Sequence, residues 1–356
     1  MSRPVPTRLL EAAHSAPSAD NSQPWRFVWD GTHLELLFGG DAREEALFGP
    51  ASPATLLTIG GVVENLFAAA QLLGYDLSRE AAELPDYSAG RYLRVAVKGT
   101  PKPDGADIRP ILSRHTNRFA YRSDALPPSA REAITGLNEP PARLLYFDDA
   151  GDRSTLAAMV SAASRIRFRT RELHEWLAES LRHTPEQVAH GDGLDVRTLD
   201  LPPGGGIFLR LIGSWRRMQT LNRIGAFRAM AAIESQPIRR GPVLLALVAP
   251  ADATGCIAAG RLMTRVWTRL NAEGIAVHPY YGIPDQLQRL RDGSVPKEMV
   301  PEAERLRDRC REFLGIDREE TLHMLLRVGR PGRDPIRSRR RPLPEVLIDR
   351  SDATTR

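Results

Sequence analysis

The sequence has little cysteine and no long apolar run, and both absences exclude classes of protein. Its 356 residues include two cysteines, Cys256 and Cys310, which provide neither a disulfide framework nor the spacing of a metal site. The N-terminal segment has no apolar core long enough for a signal peptide. No run reaches the roughly 18 apolar residues of a membrane span. We therefore expect a protein of the reducing cytoplasm with no membrane partner.

The chain also has no strong excess of one charge. Its 49 Lys and Arg residues stand against 44 Asp and Glu residues, which gives a net charge of +5. The arginines are spread along the chain among the acids, and no nucleic-acid module accompanies them. This pattern favours a solvated surface plus a site for an anionic ligand, and we expect no nucleic-acid partner. The length allows two domains, or one large domain built from two halves.

Residues 16–25 are the most distinctive stretch of the chain. They are rich in turn formers, including Pro17, Ser18 and Asn21, which preset φ or bond their own backbone. The alternation in residues 25–29 predicts a strand, and Asp30-Gly31 predicts a hairpin turn into residues 33–37. A polar loop of fixed shape is suited to hold a small polar ligand. A purely structural loop is the alternative interpretation.

Helical and strand patterns follow along the rest of the chain. Apolar spacing predicts long helices over residues 54–73 and about 258–272, mostly helical structure over 152–232, and a linker over 99–105. Strands are predicted over 92–97, 143–147, 243–248 and 322–328. Ser129, after two prolines, is expected to cap a helix. Gly60 and Gly260 each open a predicted helix of the same length, a repeat that by itself carries little weight.

Four segments resemble motifs of the nitroreductase-like flavoprotein superfamily. Residues 16–25 read APSADNSQPW and resemble its flavin-contacting loop, and residues 114–118 read RHTNR and resemble its phosphate-holding segment. Residues 275–279 resemble the stretch that passes the flavin ring, and the basic tail from Arg340 resembles the closing segment. The loop motif lies in the first half of the chain, whereas the other three lie in the second.

The resemblance implies an α+β, nitroreductase-like fold. Two related halves, each with a central, mostly antiparallel sheet flanked by helices, would be fused in one chain as a pseudo-dimer, as in Acg-type nitroreductase-like proteins. The first half would comprise residues 1–105. The second, residues 106–356, would carry the RHTNR segment, a lid-like helical insertion at about 152–232 and the basic tail. The motif segments would then converge on one flavin site per chain, and a monomer is expected, with further pairing left open.

The resemblance also implies one bound flavin mononucleotide (FMN) per chain and a set of residues that hold it. Arg114 and Arg118 are four residues apart, so on a helix they would share a face and close on one phosphate. An ordinary solvated helix face, and a disordered tail for Arg340 and Arg341, are the alternatives. The expected cofactor-binding residues are Pro17, Ser18, Asn21, Gln23, Arg114, His115, Thr116, Arg118, His278, Pro279, Arg340 and Arg341. No catalytic acid or base and no metal site stands out.

Three functions fit the resemblance. The first is an FMN-dependent oxidoreductase that acts by ping-pong chemistry on a small electron-poor or conjugated substrate, with NAD(P)H as electron donor. The second is an FMN-binding or sequestration protein with a lid and no NAD(P)H turnover. The third is a flavin oxidase or dehydrogenase of specialised metabolism. The amphipathic residues 204–231 are interpreted as a lid, with core packing and, less favoured, a membrane-surface helix as alternatives.

Overall fold

The computed structural model describes residues 4–79, 85–99, 106–201 and 203–351. The predicted linker over 99–105 lies, from residue 100 onward, outside the described residues. The described helices are α1 Thr7–His14, α2 Ala42–Phe48, α3 Pro53–Leu73, α4 Arg109–Ser113, α5 Pro128–Ile134, α6 Ala150–Arg167, α7 Arg171–Ser180, α8 Pro185–Ala189, α9 Gly205–Ile212, α10 Trp215–Arg223, α11 Ala226–Arg240, α12 Ala253–Ala272, α13 Gly282–Arg291, α14 Val300–Leu314 and α15 Leu343–Val346.

Two main sheets organise the chain, as expected for an α+β fold. The strands are β1 Trp25–Trp29, β2 His33–Phe38, β3 Asp76–Arg79, β4 Arg91–Lys98, β5 Arg143–Phe147, β6 Leu181–Arg182, β7 Leu194–Asp195, β8 Val243–Pro250, β9 Ala276–Tyr280, β10 Glu320–Gly329 and β11 Leu347–Asp349. The first sheet has the order β11-β1-β2-β4-β3, the second has the order β5-β8-β10-β9, and β6 and β7 form a small pair.

The first sheet packs against α1 and α3. Phe27 of β1 and Leu36 of β2 are fully buried against Leu66 of α3. The outer strand β11 comes from the far end of the chain and pairs parallel with β1, with Phe27 opposite Leu347. The C-terminal segment therefore completes the sheet that the first hundred residues begin.

The second sheet is antiparallel and buried on both faces. Alternate residues of its central strand β8 face opposite sides: Leu245 packs with Trp267 of α12, whereas Leu244 packs with Leu156 of α6. The apolar run at 243–248 correctly predicted a central strand, because a strand covered on both sides reads as continuously apolar.

The long helices α3 and α12 cross at two glycines. A Cβ on Gly260 would lie 2.0 Å from the carbonyl oxygen of Leu57, and a Cβ on Gly60 would lie 2.3 Å from that of Ile257. The contact is reciprocal, since each glycine meets the carbonyl three residues before the other glycine. The expectation that these glycines open their helices was wrong: α3 begins at Pro53 and α12 at Ala253. Both glycines lie inside their helices, at the point of contact, where the absence of a side chain allows the two backbones to approach closely.

One further expectation was wrong. The cap of α5 is Pro127, without a side-chain hydrogen bond, and Ser129 lies inside the helix.

Helix α3 is, by length and composition alone, apolar enough to cross a membrane. Most of its residues are buried against the first sheet, α1 and α12, so core packing accounts for its apolar composition.

Candidate functional site

The loop of residues 16–24 has a fixed and unusual backbone. Asp20, Asn21 and Gln23 have φ values of 46°, 60° and 58°, in the left-handed region that non-glycine residues seldom adopt. The Ser18 hydroxyl accepts a 3.1 Å hydrogen bond from the backbone amide of Gln23. Trp176 of α7 donates from Nε1 to the Asp20 carboxylate at 2.8 Å. Contacts from outside the loop thus help to hold its strained shape.

The C-terminal tail binds directly to this loop. Asn21 donates from Nδ2 to the carbonyl of Arg339 at 2.9 Å, and its Oδ1 accepts from Arg340 at 2.9 Å. Gln23, which is fully buried, accepts from the backbone amide of Arg341 at 3.0 Å. Two segments that lie more than 300 residues apart in sequence are therefore joined by side-chain amides.

The helical insertion also reaches the loop, through its middle portion. Both Asn21 and Gln23 donate to the carbonyl of Gly191, at 3.2 Å and 2.9 Å. Gln23 also donates to the carbonyl of Asn21 at 2.9 Å. The amide groups expected to face a flavin edge are thus engaged in bonds within the protein, and their role toward a flavin stays a prediction.

Arg114 and Arg340 converge on the residue before the loop. Arg114 donates to the carbonyl of Ser15 at 2.8 Å, and Arg340 donates to the carbonyls of Ser15 and Ala16 at 3.2 Å and 2.6 Å. The Arg114 guanidinium also lies 4.6 Å from the ring centre of Trp267. Burial, and then the neighbouring charge of Arg340, lower the pKa of Arg114 well below its usual value, and burial lowers the pKa of Arg340 to about 10.

The segment from Arg114 to Arg118 is not helical, so the expectation that these two arginines share a helix face was wrong. Helix α4 ends at Ser113, and Arg114 is extended, with φ −55° and ψ 129°. The backbone amides of His115 and Asn117 bond outward, to Asn271 Oδ1 at 2.8 Å and the Val277 carbonyl at 3.0 Å. These bonds replace the i→i−4 bonds of a helix.

Arg118 and Arg327 form a second pair beside β9. Arg118 lies 3.4 Å from the Thr198 hydroxyl, and burial lowers the pKa of Arg118 although Asp20 acts in the opposite direction. Arg327 is 2% exposed and donates to the carbonyls of Arg118 and Phe119 at 3.1 Å and 2.9 Å. Sequence reasoning missed Arg327 as a site residue. Its signal was a lone arginine in the stretch 322–328, in which His323 is the only other polar residue.

His278 lies next to this pair on β9. Its Nδ1 is buried and, within the described residues, has no hydrogen-bond partner. Burial, followed by the charges of Arg327 and Arg118, lowers its pKa well below its usual value, so the ring is neutral near pH 7. Its ring centre lies 4.3 Å from that of Tyr280. Pro279, on the same strand, pairs with Leu326 of β10.

The other expected site residues lie around these pairs. Pro17 packs near Gly61 of α3, where an added Cβ would lie 3.3 Å from its ring. Thr116 is half-buried between the two arginines of its segment. The carbonyl of His115 accepts from Trp267 Nε1 at 2.9 Å, so this residue anchors the segment. Arg341 is 3.5 Å from Asp192 and so already has an acidic partner.

His14 joins the loop, the tail and β1. Its Nδ1 accepts from Trp25 Nε1 at 2.9 Å, so its Nε2 carries the proton and donates to the carbonyl of Arg341 at 2.8 Å. Burial lowers the pKa of His14 and outweighs the hydrogen bond to Arg341, which raises it. The charges of Arg340 and Arg341 lower the pKa further, so it falls to about 4.

Four of these arginines share one property. Within the residues that the structure describes, no carboxylate forms an ion pair with any of them, and their partners are carbonyls, a hydroxyl and aromatic rings. We call Arg114, Arg118, Arg327 and Arg340 the cation cluster. Buried charge without a counter-charge is costly. The cluster therefore favours an anionic ligand, and with the unpartnered His278 nitrogen it fits a ligand that has both a phosphate and a polar ring.

The segment expected to form a lid builds a small core of its own. In the described part of the chain, no hydrogen bond joins α9, α10 or α11 to residues 16–24. Ile212, Met218 and Ala231 instead form a small core of their own with Phe168. The contacts from the helical insertion to the loop and to Arg118 come instead from Trp176, Gly191 and Thr198. The lid role of residues 204–231 stays a prediction.

The chain is similar to a curated protein over most of its length. No family model matches the chain. It is 28% identical over 290 residues to the uncharacterized protein MT1398 of Mycobacterium tuberculosis (strain CDC 1551 / Oshkosh), an alignment that covers 78% of this chain and 39% of that protein. The chain thus spans about two fifths of the length of this curated relative.

Similar solved structures include an FMN-dependent nitroreductase, a BluB-like flavoprotein and an iodotyrosine deiodinase bound to FMN. The FMN-dependent nitroreductase NfnB from Mycobacterium smegmatis in complex with NADPH is 19% identical to this chain. The superposition covers 67% of this chain and 94% of the NfnB chain, with a TM-score of 0.35. A BluB-like flavoprotein from Clostridium difficile 630 is 10% identical, with coverages of 68% and 99% and a TM-score of 0.39. Oxidized iodotyrosine deiodinase bound to FMN and 3-iodo-L-tyrosine is 16% identical, with coverages of 66% and 94% and a TM-score of 0.36. Because these TM-scores are below 0.5, function is inferred from this chain's own residues.

Proposed function

We propose that the chain binds FMN at the cation cluster and acts as an FMN-dependent oxidoreductase. The observation that carries the proposal is the cluster itself. Four buried or half-buried arginines without carboxylate partners among the described residues lie on or against the RHTNR segment and the basic tail, which both contact the stretch at residues 15–25. A phosphate dianion would supply the missing counter-charge through charge-assisted bonds, for which guanidinium groups are well suited.

The residues divide the cofactor between them. Arg114, Thr116 and Arg118 would hold the phosphate and the ribityl chain. Pro17 and the stretch at His278 would flank the ring system, with the His278 Nδ1 free to form a hydrogen bond. When bound, FMN supplies the electron-transfer chemistry, and the chain binds, orients and shields it. Because His278 is neutral near pH 7, its role is to position the ring through a hydrogen bond.

We also propose that the two halves pack as the two subunits of a flavoprotein dimer do. The reciprocal contact between Gly60 and Gly260 has the form of a two-fold interface, and β11 from the second half completes the first sheet. Each motif occurs once, so one FMN per chain and a monomer follow. Flavin absorbance per mole of protein, combined with the sedimentation mass, tests both numbers.

The proposed substrates are small electron-poor or conjugated molecules, with NAD(P)H as donor. Sequestration of FMN without turnover is a second candidate, which the contacts of Trp176, Gly191 and Thr198 favour because they close over the site. Anaerobic addition of NADH or NADPH to the FMN-loaded protein separates the two. Rapid bleaching of the flavin band indicates the oxidoreductase, whereas a band that persists with both donors indicates sequestration.

The cofactor site is tested by substitution. Arg114→Ala together with Arg118→Ala should release flavin during purification, because both proposed phosphate partners are removed. Arg305→Ala with Arg309→Ala, a pair of exposed arginines on α14, is the matched control and should retain flavin. Stoichiometric flavin in both double variants would show that the phosphate lies elsewhere.

A further inference from the structure

The helices α9, α10 and α11 expose most of the large apolar side chains on the surface. Of the eight large hydrophobic residues exposed in the described chain, five lie on these helices or the turns between them: Ile207, Phe208, Leu211, Ile224 and Ile233. Ile207 and Ile224 are 75% and 83% exposed. Single exposed apolar residues are ordinary, but a concentration of them in one short segment indicates an interaction surface.

The same segment is strongly basic. Residues 204–240 contain seven arginines, all exposed: Arg210, Arg216, Arg217, Arg223, Arg228, Arg239 and Arg240. Their one acid, Glu234, is half-buried and paired with Arg167 of α6 at 3.0 Å. The outer surface of this segment therefore carries positive charge without local acids, in contrast to the mixed charges of the rest of the chain. We call these exposed apolar and basic side chains the outer face.

The helical geometry places the two kinds of side chain together. On α9, Ile207, Phe208 and Leu211 form one stripe, with Arg210 beside it. On α10, Met218 is buried, whereas Arg216 and Arg223, two turns apart, point outward. Helix α10 packs against both α9 and α11, so the three helices that carry the outer face form one packed unit.

We propose that the outer face is a docking site for an anionic membrane surface. Apolar side chains that insert at the headgroup boundary, surrounded by arginines that pair with lipid phosphates, are what such a surface binds. A second copy of the chain fits less well, since a two-fold contact would bring like charges together. Nucleic acid would pair with the arginines but leave the isoleucines exposed. The proposal is independent of the flavin site.

Vesicle co-sedimentation of the full chain tests the proposal. The protein should bind vesicles of phosphatidylcholine with added phosphatidylglycerol, bind phosphatidylcholine alone at least about tenfold more weakly, and lose affinity as salt rises. Absence of binding to both vesicle types, or equal binding to the two, would overturn it.

Two double variants test whether the vesicle binding occurs at the outer face. Ile207→Ser with Phe208→Ser, and separately Arg216→Gln with Arg223→Gln, should each lower the partition constant on anionic vesicles about tenfold. The controls are Leu72→Ser, at an exposed leucine of α3, and Arg305→Gln with Arg309→Gln on α14. Equal effects in variants and controls would contradict the assignment.

Sedimentation velocity without lipid tests the alternative occupant. All variants change exposed residues, so unchanged circular dichroism should accompany the loss of vesicle binding. Concentration-dependent dimerisation that disappears in the Ile207→Ser, Phe208→Ser variant would overturn the membrane assignment in favour of a second copy.

Discussion

Two groups of arginines in this chain are built in opposite ways. At the crossing of α3 and α12, Arg265 binds Glu64 at 2.6 Å and Glu139 at 2.9 Å, and Arg261 pairs with the same two acids. Glu64, which has the larger effect, and Glu139 raise the pKa of Arg265. Among the described residues, the guanidinium groups of the cation cluster bind only neutral partners, and burial lowers the pKa of Arg114 and Arg340.

The contrast separates structural charge from functional charge. In the paired group, the arginines and the two glutamates neutralise one another and help to hold α3 against α12. Arginines held by carbonyls keep their positive charge available, and the fold accepts the cost of their burial. The presence or absence of an acid, more than the number of arginines, distinguishes the candidate site.

The largest expected loss of stability comes from a substitution that disrupts the crossing of α3 and α12, where the paired arginines and glutamates lie. Gly260→Ala should lower the free energy of unfolding by about 3 kcal/mol, because the new methyl group would meet backbone 2.0 Å away and force the helices apart. Gly206→Ala, at a helical glycine with nothing within 4 Å, should change it by less than about 1 kcal/mol. Urea denaturation measures both, and similar values for the two variants would contradict the close crossing.

Removal of one acid from the paired group should also destabilise the folded chain. Glu64→Gln leaves two arginines with a single carboxylate, and because Glu64 is buried we expect a loss of about 2 kcal/mol. The exposed pair of Arg171 and Glu175 on α7 is the control: Glu175→Gln should cost less than about 1 kcal/mol. A smaller loss for Glu64→Gln than for Glu175→Gln in urea denaturation would show that the pairing does not stabilise the crossing.

Acid should weaken the site end of the molecule through His14. The pKa of His14 is about 4 in the folded chain, below its ordinary value of 6.5. The unfolded chain binds the proton more readily, so His14 contributes stability that is complete above about pH 6.5 and is lost as the pH falls toward 4. The full effect is about 3 kcal/mol.

Comparison of unfolding free energies at several pH values tests this role. His14→Gln should show a shallower loss of stability between pH 6.5 and 4 than the natural chain does. His190→Gln, changed at an exposed histidine, is the control. An unchanged slope in His14→Gln would place the pH dependence elsewhere.

The smallest expected effect on stability sharpens the comparison most. Arg118→Gln should change the unfolding free energy of the flavin-free protein by less than about 1 kcal/mol, since it removes a half-buried charge that has no ion pair among the described residues. The same variant should weaken FMN binding at least about tenfold. Isothermal titration and urea denaturation measure the two effects. A large loss of stability with unchanged FMN affinity would make Arg118 a structural residue.

Much of the fold could be predicted from local sequence patterns. The apolar runs correctly predicted α3, α12 and β8, and the alternation in residues 25–29 predicted β1. Strand β11 was missed because it has only three residues and its partner β1 lies about 320 residues earlier in the chain. Strand β9 was missed because His278 and Pro279 interrupt its apolar pattern.

The site was harder to predict than the fold. The motifs indicated which segments meet, and the structure brings the loop, the RHTNR segment and the tail together. They did not indicate that Asn21 and Gln23 would bind the tail and Gly191, nor that Arg114 would be extended. These features depend on partners distant in sequence, which local patterns do not contain. Arg327 was missed for the same reason, since its carbonyl partners lie more than 200 residues away.

The most direct test of the central claim compares two flavins that differ only in the phosphate. Titration of the purified full chain with FMN and with riboflavin, followed by flavin fluorescence, should give one FMN per chain. Riboflavin should bind at least about a hundredfold more weakly, since two charge-assisted bonds to phosphate are absent. Equal affinity for the two flavins, or no binding of FMN, would contradict the claim that the cation cluster is a flavin phosphate site.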